Sequence, residues 1–583
     1  MNLFRGLFCV VCLAAGLVRG GEIKLSATMP PVDASAVLPL HCFGKYPQLD
    51  EANVQLGLSL TPMIYGKADQ YSWVYEPGVD PVFQISSPDD SRVSRLVLTA
   101  WNWLGEPVLV RSLQSGRAED LWFAVDGVGT WMLTLDAYQG EAADTLVSRL
   151  TRSFSIAPDA SEQRNAWLDE NGYVLGSCFF PQRYFQWKGW DYPDLTPEQA
   201  IDKMAALAAR AGFSMLRIDS FPDGSSNVWK NIESTFQTLE KYKITPDWKI
   251  ALRSNLFDGD SLNFNPSKFG AFEKQFDELI TRYGSGSMIE LGNEPAHHEF
   301  WDGTGEQYIH LYQILYEKIQ VASPDALVTH GGACFPGADS WFLKDKDPAT
   351  FKEKAAVQEA FYNRMADALA TQGSYWPYHF HGGLELDQFN WINDMRWRLV
   401  AEENPLQLFQ TEGGACAWRP DFEVETWVKA LQKLFYSWGN GDRGWLQYVL
   451  IGQPIDLRTE GGNEGWGLLH SGTFAPRFQY GAWTALANWF SGCRLEQKMV
   501  PAGPGDAFNF VYVFSHPEGK IISCFSTEEN PALLQIQSDA GQVLRIDPMG
   551  NASKEAGANQ SVLLKKVPQY ILLKGAQSVQ VQF

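Results

Sequence analysis

The chain has 583 residues, 45% hydrophobic and 13% aromatic, with a net charge of −21. That composition supports more than one folded core and excludes a disordered chain. The acidity leaves no general electrostatic footprint for nucleic acid or an anionic membrane, and it favours a largely neutral ligand over a sulfated or uronate-rich polymer.

At the N-terminus Arg5 precedes the apolar GLFCVVCLAAGLV, and RGGE follows. This pattern reads as a secretory signal over residues 1 to 20, so a secreted or periplasmic protein is expected. Its removal takes away Arg5 and Arg19 and no acid, which moves the charge from −21 to −23. No later apolar run reaches the ~20 residues that span a bilayer. The remaining cysteines, Cys42, Cys178, Cys334, Cys416, Cys493 and Cys524, are scattered singly. That excludes a zinc ribbon and a disulfide-dense scaffold, and leaves one or two disulfides open.

Residues 22–157 read as β. DLWFAVDGVGTWMLTLDAY and SRLVLTAWNWLGEPVLVRSL alternate apolar and polar residues and are rich in β-branched and aromatic types. A β-sandwich of immunoglobulin-like or jelly-roll type is expected. PDASEQRN reads as a linker.

From 166 to 493 the rhythm changes to short apolar strands alternating with segments of helical period. The strands are YVLGSCFF, SMLRID, WKIAL, SMIELGNE, ALVTHGG, WPYHFHG, PLQLFQTE and RGWLQYVL. In TPEQAIDKMAALAARAG, Thr196 can cap the helix and Pro197 can take its first turn. Eight alternations predict a closed (β/α)8 barrel. No G-x-G-x-x-G opens the first β–α turn, which removes the main support for a dinucleotide fold. Residues 494–583 return to short strands, read as a small antiparallel C-terminal sandwich. The expected fold is thus a TIM barrel flanked by two β-sandwiches.

Barrel strands deliver their C-terminal ends to one mouth. Asn293 and Glu294 end the fourth strand; Thr411 and Glu412 end the seventh. Two carboxyls meeting at one mouth suit glycosidic cleavage: one protonates the leaving oxygen, the other attacks the anomeric carbon. The stretches LGNEP and QTEGG, in this order, resemble glycoside hydrolase clan A, the retaining glycosidases on a (β/α)8 barrel, with families such as 5, 30 and 39. The resemblance implies Glu294 as acid/base, Glu412 as nucleophile and Asn293 as the partner of a sugar 2-hydroxyl. It also implies that Arg217, ending strand two, holds the nucleophile ionised. His379 and His381 share one face of strand six near the nucleophile, His381 standing where family 5 members often carry Tyr. Trp445 and Tyr448 lie on strand eight, where the clan often places an aromatic platform. No metal or other cofactor is implied, and the partner is a carbohydrate substrate.

Other residues keep two readings. His330 ends strand five, as a ligand contact or a hydrogen-bonded structural histidine. Trp418, with Trp187, Trp190, Trp301, Trp376, Trp391 and Trp466, falls in the predicted β–α loops and suits sugar stacking or loop packing. HHEFWD lacks the second histidine of H-E-x-x-H, which excludes a zinc protease. Cys334 and Cys416 are read as packing residues, since no base is left to activate them. A non-catalytic carbohydrate-binding barrel and a transglycosylase with the same two carboxyls are the alternatives.

Overall fold

The computed structural model describes residues 22–32, 58–64, 67–69, 71–87, 93–139, 145–162, 172–181, 194–220, 226–337, 340, 343–381, 406–415, 423–452, 466–470, 472–499, 509–527 and 532–583. The expected signal, Cys42, Cys416, Trp187, Trp190, Trp391 and Trp418 lie outside them. Two compact units divide the chain at Ala157 and Pro158.

The first unit is a sandwich of two five-stranded sheets. Its core follows from the alternation in the sequence. In Ala118–Asp126, Leu121 and Phe123 point in; in Val82–Ser86, Phe83 and Ile85 do. Phe83 then meets Phe123 of its own sheet at 5.4 Å and Phe154 of the other at 5.2 Å. Edge-on and tilted contacts at this range add to simple burial.

The second unit holds an eight-stranded parallel barrel. Its strands are β1 (Val174–Phe179), β2 (Met215–Ser220), β3 (Thr245–Ile250), β4 (Met288–Leu291), β5 (Leu327–His330), β6 (Tyr375–Phe380), β7 (Gln407–Gly413) and β8 (Gly444–Gln447). They pair in the order 5-4-3-2-1-8-7-6. Ala333, just beyond β5, bridges to Tyr378 of β6 and brings the ends of the sheet together. Described helices between and after the strands are α1 (Pro197–Arg210), α2 (Ser226–Lys241), α3 (Pro266–Tyr283), α4 (Gly305–Ala322), α5 (Pro348–Leu369), α6 (Glu423–Gly439) and α7 (Phe478–Phe490). Thr196 and Gln199 form a capping box on α1, with Pro197 at its first position, so the local signal and the fold agree.

Val174, Met215, Met288, Phe409 and Leu446, with Leu327 and Tyr375 against them, fill the start of the barrel from seven strands. Inward positions one step further along are not apolar: they carry Arg217, Asp247 and Glu290. The barrel floor is therefore oily and the layer above it is charged.

After α7 come a six-stranded and a three-stranded antiparallel sheet. Asn509–His516 shows why they sit where they do. Val511 and Val513 enter the core between these sheets. Tyr512 and Phe514, on the other face, meet the barrel helices: Phe514 lies 4.6 Å from Trp438 of α6 and 5.5 Å from Phe490 of α7. Alternation of branched and aromatic residues thus makes one strand serve two cores.

Candidate active site

Chain geometry at two strand ends brings the site together. In β6, Tyr375 packs in the barrel floor, and Pro377 and His379 share its face. In β7, Phe409 pairs with Pro377 and also points inward. Strict alternation would next turn Thr411 inward and Glu412 outward. Instead His379 pairs with Glu412, and Thr411 is the extra residue of a bulge. A bulge bends the strand and re-aims one side chain, and here it turns Glu412 into the barrel. Lys433 of α6, fully buried, donates to the carbonyls of Phe380 and Gly414 and ties down the ends of both strands.

Glu294 arrives by a different device. After β4 the chain passes Gly292 at φ +103°, and Glu294 itself sits at φ +36°. The left-handed region is unfavourable for a glutamate and persists only where neighbours hold it. Those neighbours are at hand. The backbone N–H of His297 donates to Glu294 O at 2.7 Å, and Gly292 N donates to Ile250 O at 2.7 Å. Tyr308 of α4 donates to Leu291 O at 2.5 Å and accepts from Gly331 N at 2.9 Å.

Beneath these ends lies the charged layer. Arg217 is fully buried and donates to Glu290 twice, Nε at 2.6 Å and Nη2 at 2.9 Å. Its Nη2 also reaches Asn293 Oδ1 at 2.8 Å, and its Nη1 donates to Glu412 Oε1. Gly332 N adds a bond to Glu290 Oε1 at 2.8 Å. Asp247 stands 3.9 Å from Arg217 Nε with neither oxygen hydrogen-bonded. Burial, then the charge of Glu290, push its carboxyl well above the usual range.

His379 links the two mouth carboxyls. Its Nδ1 lies 2.6 Å from Glu294 Oε1 and 3.7 Å from Glu412 Oε2. His381 Nε2 lies 3.3 Å from the same Glu412 oxygen. One donor atom from each of Glu294, His379, His381 and Glu412 falls within 4.8 Å of the others. The two glutamates are 12% and 10% exposed, open enough to meet a ligand. Burial pushes Glu412 up, but His379, Arg217 and His381 outweigh it and hold the carboxyl well below its ordinary range. Glu294 is raised by burial and by Glu412, and lowered by its bond and charge contact with His379, ending below the ordinary range by less. Glu412 is thus the more firmly ionised of the two, and Glu294 keeps its short contact with His379.

Beside this pair His381 meets Trp466 at 5.0 Å and Tyr448 at 5.4 Å, both edge-on. Tyr448 and Trp466 lie 5.7 Å apart. They form an aromatic wall next to Glu412.

Arg217, Asn293, Glu294, His379, His381, Glu412 and Tyr448 therefore converge. Two expected ligand contacts do not. Trp445 is fully buried, its Nε1 donating to Gln447 at 3.2 Å, and no ring face is left for a sugar. His330 sits on the outward parity of β5. Its Nδ1 lies 2.6 Å from Gly331 O, its ring is edge-on to buried Trp376 at 4.2 Å, and it is 2% exposed. It is a structural histidine. Cys334 is buried, its Sγ 3.1 Å from Tyr362 Oη.

Glu290 and Lys433 were not singled out from the sequence. Glu290 had a visible signal: a carboxylate inside the apolar run MIEL, on the parity of Met288. The Gly pairs Gly331–Gly332 and Gly413–Gly414 have a steric cause. A Cβ on Gly332 would lie 2.2 Å from His379 Nε2, and one on Gly413 would lie 2.6 Å from the Trp445 ring.

No family model matches the chain, and no curated protein sequence does. Among solved structures it is similar to a family 39 glycoside hydrolase from the gut symbiont Bacteroides cellulosilyticus WH2. The TM-score is 0.57 at 16% identity, over 88% of this chain and 100% of that one. The likeness shows the fold: a TIM barrel in a chain that carries β-sandwich segments before and after it in sequence. A glucosidase from Croceicoccus marinus (TM-score 0.42, 10% identity, 72% of this chain and 98% of that one) falls below the likeness that argues for a shared fold. So does a β-glucuronidase from Parabacteroides merdae (0.34, 9%, 90% and 76%).

Proposed function

We propose that the chain is a retaining glycoside hydrolase acting on an O-glycosidic bond of an oligo- or polysaccharide, exported by its N-terminal segment. The observation that carries this reading is the pair Glu294 and Glu412, presented from the ends of β4 and β7 with carboxyl oxygens within 4.8 Å. Carboxyls about 5–5.5 Å apart suit double displacement, whereas inversion needs about 6.5–9.5 Å to admit a water.

In the first step Glu412 Oε2 attacks the anomeric carbon and the glycosidic C–O bond breaks. Glu294, in contact with His379, delivers the proton to the leaving oxygen. Arg217, bonded to Oε1, keeps Glu412 ionised and oriented for attack. Once Glu412 is an ester its charge is gone, and with it the repulsion that raised Glu294. Glu294 is then left ionised and acts as the base, taking a proton from water as that water attacks the same carbon and frees Glu412. Asn293, held by Arg217 at 2.8 Å, lies where a sugar hydroxyl next to the reacting carbon would be bound. Tyr448 and Trp466 support an apolar sugar face beside the nucleophile.

The test is reducing-end release over a broad panel of glycans, wild type beside Glu412→Gln. Release by wild type alone, with the product anomer matching the substrate, supports the reading. Inverted anomers would remove the double displacement. Equal binding of a glycan by both proteins with release by neither would make the chain a carbohydrate-binding barrel instead.

A further inference from the structure

We propose that Glu294, His379, His381 and Glu412 form a zinc(II) site that, when filled, closes the catalytic pair. His379 of β6 and His381, just beyond its end, both lie against the mouth carboxyls. Four donors bound to one tetrahedral zinc at about 2.0–2.2 Å sit about 3.3–3.5 Å from one another. Here His379 Nδ1 is 2.6 Å from Glu294 Oε1 and 3.7 Å from Glu412 Oε2, and His381 Nε2 is 3.3 Å from that same oxygen. No pair of the four exceeds 4.8 Å. Side-chain rotations of about an ångström suffice to seat the ion.

The surroundings agree in charge and in support. Glu294 and Glu412 bring two carboxylates to the ion, and beneath them Arg217 is set against Glu290. Arg217 holds Glu412 by Oε1 and leaves Oε2 directed at the histidines. His379 would ligate through Nδ1, and its Nε2 then faces Glu290 Oε1 at 4.0 Å. Two imidazoles and two carboxylates suit zinc better than magnesium or calcium, which take oxygen ligands.

Four protein ligands leave no open position for an activated water, so the site is of the closed kind and not a catalytic one. Zinc would occupy both carboxyls needed for glycoside cleavage. The inhibition rests on the proposed activity; the binding does not.

The experiment titrates chelator-treated full-length chain with zinc chloride by calorimetry. One zinc per chain is expected, weakened at least tenfold in His381→Ala and in Glu294→Gln, since even outer partners of a metal ligand are worth 10–100-fold in affinity. His381 is 31% exposed, so its truncation leaves the core intact. If a variant fails to fold, cobalt(II) added to the wild type reads the same question, because a four-coordinate site gives intense visible absorption that zinc then displaces. No stoichiometric binding, affinity unchanged in both variants, or weak six-coordinate cobalt absorption would overturn the proposal. So would full turnover at a zinc concentration that saturates the site. Zinc bound as described by a chain whose zinc-free form cleaves no glycan would leave the site standing and remove the glycosidase reading.

Discussion

Glu290 and Glu412 both contact Arg217, yet the structure assigns them opposite consequences when each is replaced by glutamine. Arg217 and Glu290 are fully buried and joined by two bonds of 2.6 and 2.9 Å. Removing one partner of such a pair costs about 3–5 kcal/mol, because the other charge is left buried. An amide at position 290 keeps one acceptor but turns N–H groups toward the guanidinium, so about 3 kcal/mol is expected for Glu290→Gln. That is roughly a hundredfold in the folding equilibrium. In Glu412→Gln, Arg217 keeps both bonds to Glu290 and its 2.8 Å bond to Asn293. One of the site's crowded carboxylates also loses its charge. Stability should change by less than about 1 kcal/mol while turnover disappears, the usual conflict between stability and activity at a site. Urea unfolding followed by tryptophan fluorescence measures both variants on one scale. Equal destabilisation, or a Glu290→Gln protein as stable as wild type, would refute the assignment of Glu290 as the charge partner that keeps Arg217 in place.

Four further outcomes are expected. Glu294→Gln should slow cleavage of natural glycosides by about 10²–10⁴, the usual share of general acid catalysis, and slow aryl glycosides with good leaving groups far less in the glycosylation step, which burst kinetics can isolate. Gly332→Ala places a methyl 2.2 Å from His379 Nε2, so about 1–3 kcal/mol of stability and most of the turnover should be lost. Gly270→Ala, within α3 and with nothing inside 4 Å of its new Cβ, should instead stabilise the chain by about 0.5–1 kcal/mol, read as a raised urea midpoint. Burial holds His330 down at about 4, against an ordinary 6.5. The unfolded chain therefore binds this proton first, and stability that is full above pH 6.5 falls as pH drops toward 4, by about 3 kcal/mol. Denaturation at pH 7 and pH 4.5 should show a smaller difference in His330→Gln than in wild type.

Much of the architecture is legible along the chain because its signals are local. Eight apolar runs separated by helical periods define the barrel strands, and Thr196–Pro197 starts α1 as caps do. Strand ends in a barrel share a mouth, so Glu294 and Glu412 could be paired from their order alone. What the order does not contain is direction. By alternation from Phe409, Glu412 belongs on the outer face; the bulge at Thr411, visible only against β6 and β8, turns it inward. Trp445 lies within β8 and His330 ends β5, and neighbours from β7 and β6 bury them. Glu290 becomes meaningful only when β2 brings Arg217 beside it, 73 positions away in the chain. A residue's type and period are properties of its own segment. The partner that ionises, aims or buries it is supplied by another strand, and only the closed barrel puts the two side by side.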